Sequence, residues 1–158
     1  LLKREELMGF EVSENYVTLE NDERKSLIER FQKAGFDIVY EFGRKAPTEP
    51  MKLDELGAVI HSVAECGIEH VIVEQSEIDM LADSSATGLQ DLREQNWFDR
   101  IVIEADPYRF PTQHAELINT FGRDVNLCNI APGQVLRLEG FRQGIGRAVG
   151  YNIMDGLI

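Results

Sequence analysis

Residues 36–41 read FDIVYE, a short apolar run that follows Gly35 and ends on Glu41. Four further runs are also rich in Val, Ile, Leu or Phe and end at or near an acidic or amide residue; they span residues 9–13, 70–74, 100–104 and 125–129. Near-continuous apolar runs of this length are typical of strands that are buried on both faces, as in a parallel sheet covered by helices. The pattern therefore predicts a parallel α/β sheet, with five strands visible in the chain.

The segments between these runs have the apolar spacing of amphipathic helices, and the stretch with Leu56, Ile60 and Val63 is a clear example. We interpret the chain as a βα unit repeated five times, at roughly 30 residues per unit. Two architectures fit this repeat: an open doubly wound sheet, or the later part of a (β/α)8 TIM-type barrel of about 250 residues whose first three strands are absent. In the barrel interpretation, residues 1–158 form a single domain, and Leu1 to Met8 is the tail of a preceding helix.

Composition restricts the classes of partner. The chain has 158 residues with 28 acidic and 16 basic side chains, which give a formal net charge of −12. This charge opposes the attraction that nucleic acids and anionic membranes require. No apolar run approaches the roughly 20 residues of a membrane-spanning helix, and no signal-peptide pattern opens the chain. We expect a soluble, cytoplasmic protein without a nucleic-acid or membrane partner.

Glutamates occupy the ends of the predicted strands, at Glu11, Glu41, Glu74 and Glu104. Ligands of parallel sheets bind at the carboxyl ends of the strands, because loop and backbone groups converge there. A single strand-end glutamate is usually a solvated residue, but four in register repel one another unless a cation compensates their charge. An all-oxygen ligand set favours Mg²⁺ over zinc or copper. We therefore expect a hard divalent cation at this edge.

Basic side chains follow the second strand directly, at Arg44 and Lys45. In one interpretation they only balance the local negative charge. In the other, Lys45 is a general acid, and desolvation and neighbouring cations lower its pKa toward the working pH. Near the carboxyl terminus, Arg142 and Arg147 lie close to glycines, and arginine beside exposed backbone N–H groups is typical of phosphate or carboxylate binding. We expect these cations to bind small anionic substrates.

Several motifs resemble the phosphosulfolactate synthase family, from about Glu11 to Arg147. They are EVSEN at residues 11–15, EFGRK at 41–45, FDRIVIEA at 98–105, FGRDVNLCNI at 121–130 and LEGFRQG at 138–144. The block at residues 121–130 is the most specific of these.

The resemblance implies a (β/α)8 barrel that joins sulfite to phosphoenolpyruvate in a Mg²⁺-dependent, carbon–sulfur bond-forming step of coenzyme M biosynthesis. It also implies a homo-oligomer, with trimers common in the family. The expected roles are Lys45 as the catalytic acid, metal binding by Glu41, Glu74 and Glu104, and substrate binding by Arg44, Asn126, Asn129 and Arg142.

Ser76 is the main departure from this family pattern, because it stands where we expect a family arginine that binds an anion. Two alternatives therefore stay open beside the synthase. One is a non-catalytic barrel that serves as a scaffold or binding protein. The other is a different Mg²⁺-dependent barrel lyase that acts on a small phosphorylated acid.

Overall fold

Five parallel strands in sequential order, β1-β2-β3-β4-β5, form the sheet of this chain in a computed structural model that describes residues 8–146. The strands are β1 (Gly9–Ser13), β2 (Asp37–Phe42), β3 (Val71–Val73), β4 (Ile101–Glu104) and β5 (Leu127–Cys128). The helices are α1 (Asn21–Lys33), α2 (Leu53–Ala64), α3 (Gln75–Ser84), α4 (Gly88–Arg93), α5 (Thr112–Phe121) and α6 (Val135–Arg142). The predicted succession of five βα units is confirmed, whereas the proposed helix tail at Leu1 to Met8 lies almost wholly outside the described residues.

The winding of the sheet decides between the two architectures. Right-handed crossovers between sequentially ordered parallel strands place every connecting helix on the same face. A doubly wound sheet reverses its strand order and carries helices on both faces, and the described strands show no such reversal. The fold is therefore α/β of the TIM-barrel type. The described part forms an open sheet with β1 and β5 at its edges.

The core lies between the sheet and the helices. Tyr40, Val71, Val73 and Ile103 point to the helical face and are completely buried. Side chains alternate along a strand, so the neighbouring residues point to the other face. There, Val39 is 46% exposed. The helix-free face thus keeps apolar side chains within reach of solvent.

No helix within residues 8–146 combines the length and apolar character needed to cross a membrane.

Candidate active site at the carboxyl edge of the sheet

Three glutamates meet where three neighbouring strands end. Glu41 is the penultimate residue of β2, Glu74 follows β3 directly, and Glu104 ends β4. One carboxylate oxygen from each lies within 4.8 Å of the others. Glu41 and Glu74 are buried and Glu104 is half-buried. Because the strands are parallel, residues far apart in sequence converge at this edge.

The prediction that Glu11 ends the first strand is wrong, because β1 continues to Ser13 and Glu11 lies lower on the same face of the sheet. It pairs with Val39 in the middle of β1, whereas Ser13 at the end of that strand pairs with Glu41. Partial burial and the neighbouring carboxylates of Glu41 and Glu104 raise the pKa of Glu11. Glu11 therefore adds negative charge below the three glutamates without belonging to the group that could share one metal ion.

Lys45 lies across the glutamates and neutralises part of their charge. Its ammonium forms an ion pair with Glu74 Oε2, and its Nζ lies 3.5 Å from Oε2 of Glu104. Partial burial opposes the charged form of Lys45, but the hydrogen bond to Glu74 and the charges of Glu104, Glu74 and Glu41 outweigh it and raise the pKa. The expected lowering of the pKa of Lys45 is therefore wrong for this arrangement, because its closest neighbours are anions rather than cations.

Glu74 experiences opposite influences from its surroundings. Burial raises its pKa, the hydrogen bond from Lys45 lowers it, and the charges of Glu104 and Glu41 raise it again, so that the net shift is upward. The site thus binds a proton or another cation more readily than three isolated carboxylates would.

Two amide side chains complete the carboxylate group. Asn15 Nδ2 donates a hydrogen bond of 2.8 Å to Oε2 of Glu41. Asn129, which follows β5 with a φ of 60°, donates from Nδ2 to Oε1 of Glu104 at 3.3 Å. The structure thus brings Asn129 to the expected edge. Sequence reasoning missed Asn15, although it ends the quoted EVSEN motif and stands two residues after the first strand.

The loop after β2 carries Lys45 and is held by the start of α3. The backbone N–H of Arg44 donates to Oε1 of Glu77 at 2.8 Å, and the Ser76 hydroxyl donates to the Arg44 carbonyl oxygen at 2.6 Å. Burial raises the pKa of Glu77, against the opposing effect of the Arg44 N–H. Sequence reasoning missed Glu77; the available signal was an acidic residue in the first turn of the helix that follows Glu74.

The Arg44 side chain points away from the three glutamates. Its exposed guanidinium donates to the hydroxyl of Thr18 in the β1–α1 loop. In this structure the Arg44 guanidinium is thus bound to the β1–α1 loop, whereas its backbone forms part of the loop that holds Lys45.

Asn126 and Arg142 require a correction, because they lie at the opposite edge of the sheet. Asn126 precedes β5 and donates to the carbonyl oxygens of Asp99 and Ile101, at 3.3 and 3.2 Å. Arg142 donates to the carbonyl oxygens of Arg123 and Val125, the latter at 2.7 Å.

The cause of this placement is the direction of the chain. A helix that follows a parallel strand runs back along it, so the last turn of α6 lies near the amino end of β5. Asn126 and Arg142 thus tie loops together there and do not reach the carboxylates. Arg147 lies outside the described residues.

Comparison with known proteins agrees with the motifs. The family model described as (2R)-phospho-3-sulfolactate synthase (ComA) matches residues 2–147. The chain is 30% identical to the phosphosulfolactate synthase of Methanocaldococcus jannaschii over 152 residues, which cover 89% of this chain and 59% of that protein. It is 29% identical to that of Methanothermobacter thermautotrophicus over 150 residues, 87% of this chain and 57% of that protein.

The chain thus spans less than three-fifths of the length of these curated relatives. The match nevertheless includes all five strands and the loop that carries Lys45. The predicted resemblance is confirmed, and the chain belongs to the (2R)-phospho-3-sulfolactate synthase family.

Proposed function

We propose that this chain carries the catalytic edge of an enzyme that adds sulfite to phosphoenolpyruvate and forms phosphosulfolactate. The observation that carries the proposal is the position of Lys45, whose ammonium contacts Glu74 and Glu104 at the edge where Glu41 also converges. This places a proton donor beside a group of oxygen ligands, which is what an addition to an enol carboxylate requires.

The reaction balances without an oxidant or a leaving group. The sulfur lone pair of sulfite forms a bond to the methylene carbon of phosphoenolpyruvate, and the carbon–carbon π pair moves onto the neighbouring carbon and its carboxylate. A proton then joins that neighbouring carbon. Lys45 is the group we assign to deliver it, because its ammonium lies at the carboxylate edge beside Glu74 and Glu104.

The glutamates fit a Mg²⁺ ion by the chemistry of their donor atoms. Glu41, Glu74 and Glu104 offer three carboxylate oxygens within 4.8 Å of one another, and hard cations prefer oxygen ligands. Bound there, Mg²⁺ would stabilise the negative charge that develops on the substrate carboxylate. Asn15 and Asn129 hold two of these carboxylates through hydrogen bonds and so fix the direction of their oxygens.

The substrates are both anions, and the site needs cations to hold them. Lys45 contacts the carboxylate edge, and Arg44, which precedes it in the same loop, has an exposed guanidinium. We assign Arg44 to bind the phosphate or carboxylate of phosphoenolpyruvate and Asn129 to orient it. Membership of the family further supports the proposals of a homotrimer and of a cytoplasmic protein in a pathway of the coenzyme M type.

A phosphorus NMR time course of the purified chain with phosphoenolpyruvate, sulfite and Mg²⁺ tests the proposal. We expect a new phosphate-ester resonance that requires sulfite and that does not form when sulfate replaces sulfite. Calorimetric titration with Mg²⁺, on the wild-type chain and on Glu74→Gln, measures the metal site separately.

Ser76 favours two competing functions, since it replaces an expected anion-binding arginine. Mg²⁺ binding without a sulfite-dependent product would contradict the synthase and favour another lyase that acts on a small phosphorylated acid. Absence of both binding and product would favour a non-catalytic scaffold, because a scaffold gains nothing from a metal site.

A further inference from the structure

We propose that Ser76 and Glu77 are positioning residues for Lys45: they hold the peptide groups on both sides of Arg44 and thereby keep the Lys45 ammonium between Glu74 and Glu104. The catalytic part of this inference rests on the proposed function. The geometric part does not depend on it.

The contacts come from two directions on one residue. Glu77 Oε1 accepts from the Arg44 N–H at 2.8 Å, and the Ser76 hydroxyl donates to the Arg44 carbonyl oxygen at 2.6 Å. The same hydroxyl lies 3.4 Å from Oε1 of Glu74, so Ser76 acts on Lys45 through the Arg44 backbone and through Glu74. Arg44 directly precedes Lys45, so both backbone groups of Arg44 are fixed to the first turn of α3. We call this pair of contacts the Arg44 clamp.

The surroundings of the Arg44 clamp leave the loop little freedom. Glu77 is only 4% exposed. Gly43 has a φ of +116°, and a Cβ at this position would lie 2.5 Å from Cγ of Glu77 and 2.9 Å from Cβ of Glu74. The loop therefore passes so close to α3 that only glycine fits at residue 43.

Within residues 8–146 Glu77 is held by the hydrogen bond from the Arg44 N–H and by packing rather than by a direct ion pair, although the charge of Arg44 also favours its ionised form. Its second oxygen, Oε2, is buried and has no hydrogen-bond partner among the described residues. Burying a carboxylate in this way costs free energy, which the site must recover from the contact with the Arg44 N–H and from packing. A buried carboxylate that holds the backbone of the residue before Lys45 supports a positioning role.

The Arg44 clamp links the lysine to one of its own partners. Glu74 immediately precedes α3, whose first turn supplies Ser76 and Glu77. The proton donor and the carboxylate it contacts are thus held by the same helix start. A displacement of about 1 Å between reacting groups lowers turnover by as much as roughly 100-fold.

Removal of the clamp is tested with Ser76→Ala and Glu77→Ala, each paired with a conservative variant. Ser76→Thr keeps the hydroxyl, and Glu77→Gln keeps an acceptor oxygen. Ser84→Ala is the matched control, since it removes a hydroxyl at the other end of α3 whose hydrogen bond, within residues 8–146, goes to the Leu81 carbonyl oxygen. For the alanine variants we expect kcat to fall roughly tenfold to 100-fold, with a KM for phosphoenolpyruvate within about twofold of wild type. The conservative variants restore kcat.

Two measurements test the Arg44 clamp without an activity assay. Amine labelling read by mass spectrometry reports how freely Lys45 Nζ reacts, with Lys33 as an internal reference, and hydrogen exchange reports the Arg44 amide. We expect Ser76→Ala to accelerate the labelling of Lys45 alone. Glu77→Ala should accelerate exchange of the Arg44 amide by roughly tenfold, and Glu77→Gln should not.

The outcomes separate the two proposals. Wild-type rates of Lys45 labelling in Ser76→Ala and of Arg44 exchange in Glu77→Ala would overturn the clamp, even in an active enzyme. Altered rates in a chain without sulfite-dependent turnover would support the clamp and contradict the proposed reaction. If Glu77→Ala does not fold, Ser76→Ala decides by the labelling of Lys45.

Discussion

Lys45 is the residue on which the proposed chemistry depends most directly. Its ammonium contacts two carboxylates, and its side chain keeps 40% of its surface exposed, so a substrate can approach it. The anions beside it favour its charged form and raise its pKa. The charge of Lys45 therefore balances part of the negative charge of the carboxylate edge, and we assign the same ammonium to the proposed proton transfer.

Lys45→Ala is expected to lower turnover by about 10²–10⁴-fold, because the proton donor is lost. Sulfite-dependent product formation, followed by phosphorus NMR, measures the effect. Lys52→Ala is the matched control, since Lys52 pairs with the exposed Glu55 outside the site. Equal turnover in Lys45→Ala and wild type would contradict the assignment.

His114 is completely buried in α5, where its ring meets Phe110 edge to face at 4.9 Å. Neither ring nitrogen has a hydrogen-bond partner among the described residues. Burial lowers the pKa of His114, and Asp106 opposes this only in part. The folded chain therefore keeps the imidazole neutral at a pH where the unfolded chain protonates it.

His114 should therefore make stability fall as the pH falls. Above pH 6.5, the ordinary pKa of histidine, the contribution of His114 to the free energy of unfolding is constant. Below pH 6.5 the unfolded state binds an extra proton, so the free energy of unfolding decreases by up to about 1.4 kcal/mol per pH unit. Urea denaturation of wild type and His114→Leu at pH 7.5 and about 5.5 measures the difference. An identical pH dependence in the two proteins would contradict this account.

At the scale of the elements, α2 is packed closely against the turn before β4. A Cβ on Gly57 in α2 would lie 2.7 Å from Nε1 of Trp97. In α6, by contrast, a Cβ on Gly140 would have its nearest neighbour, the Ile145 carbonyl oxygen, at 3.6 Å. The two helical glycines therefore differ in packing and not in backbone conformation.

Gly57→Ala is expected to destabilise the fold by about 1–3 kcal/mol, because overpacking outweighs the gain in helix propensity. Gly140→Ala has room for its methyl group and should stabilise the fold by about 0.5–1 kcal/mol. Thermal and urea denaturation give both values. Stabilisation by Gly57→Ala would show that Trp97 moves aside at no cost.

For the whole molecule, the helix-free face of the sheet is the feature that affects self-association. Val39 is 46% exposed there, and its neighbours Ile72 and Val102 are half-buried. Exposed apolar sheet surface promotes association. We therefore expect this chain to self-associate through that face when purified.

Val39→Lys should lower the average mass of the chain in light scattering after size-exclusion chromatography. The new lysine would face Glu11, its partner in the strand register, so the sheet should tolerate it. Val135→Lys is the matched control, because Val135 is 52% exposed but lies at the start of α6. Equal masses for Val39→Lys and wild type would exclude this face as the site of association.

The repeated apolar runs determined the number and direction of the strands, and the glutamates at their ends predicted a common carboxylate edge. Both follow from local pattern, because strand periodicity and parallel pairing leave few arrangements. The same apolar runs are compatible with a doubly wound sheet and with part of a (β/α)8 barrel. Only the observed strand order distinguished the two architectures.

Only the tertiary structure decided which polar residues reach that edge. Asn126 and Asn129 are three residues apart, yet a two-residue strand separates them and directs them to opposite ends of the sheet. Arg142 is carried away from the site because its helix runs back along the strand. Glu77 lies in the helix after β3, yet it accepts a hydrogen bond from the Arg44 N–H in the loop after β2. Strand pattern is encoded locally, whereas contacts between side chains of different units depend on how those units pack, and a single sequence does not display that packing.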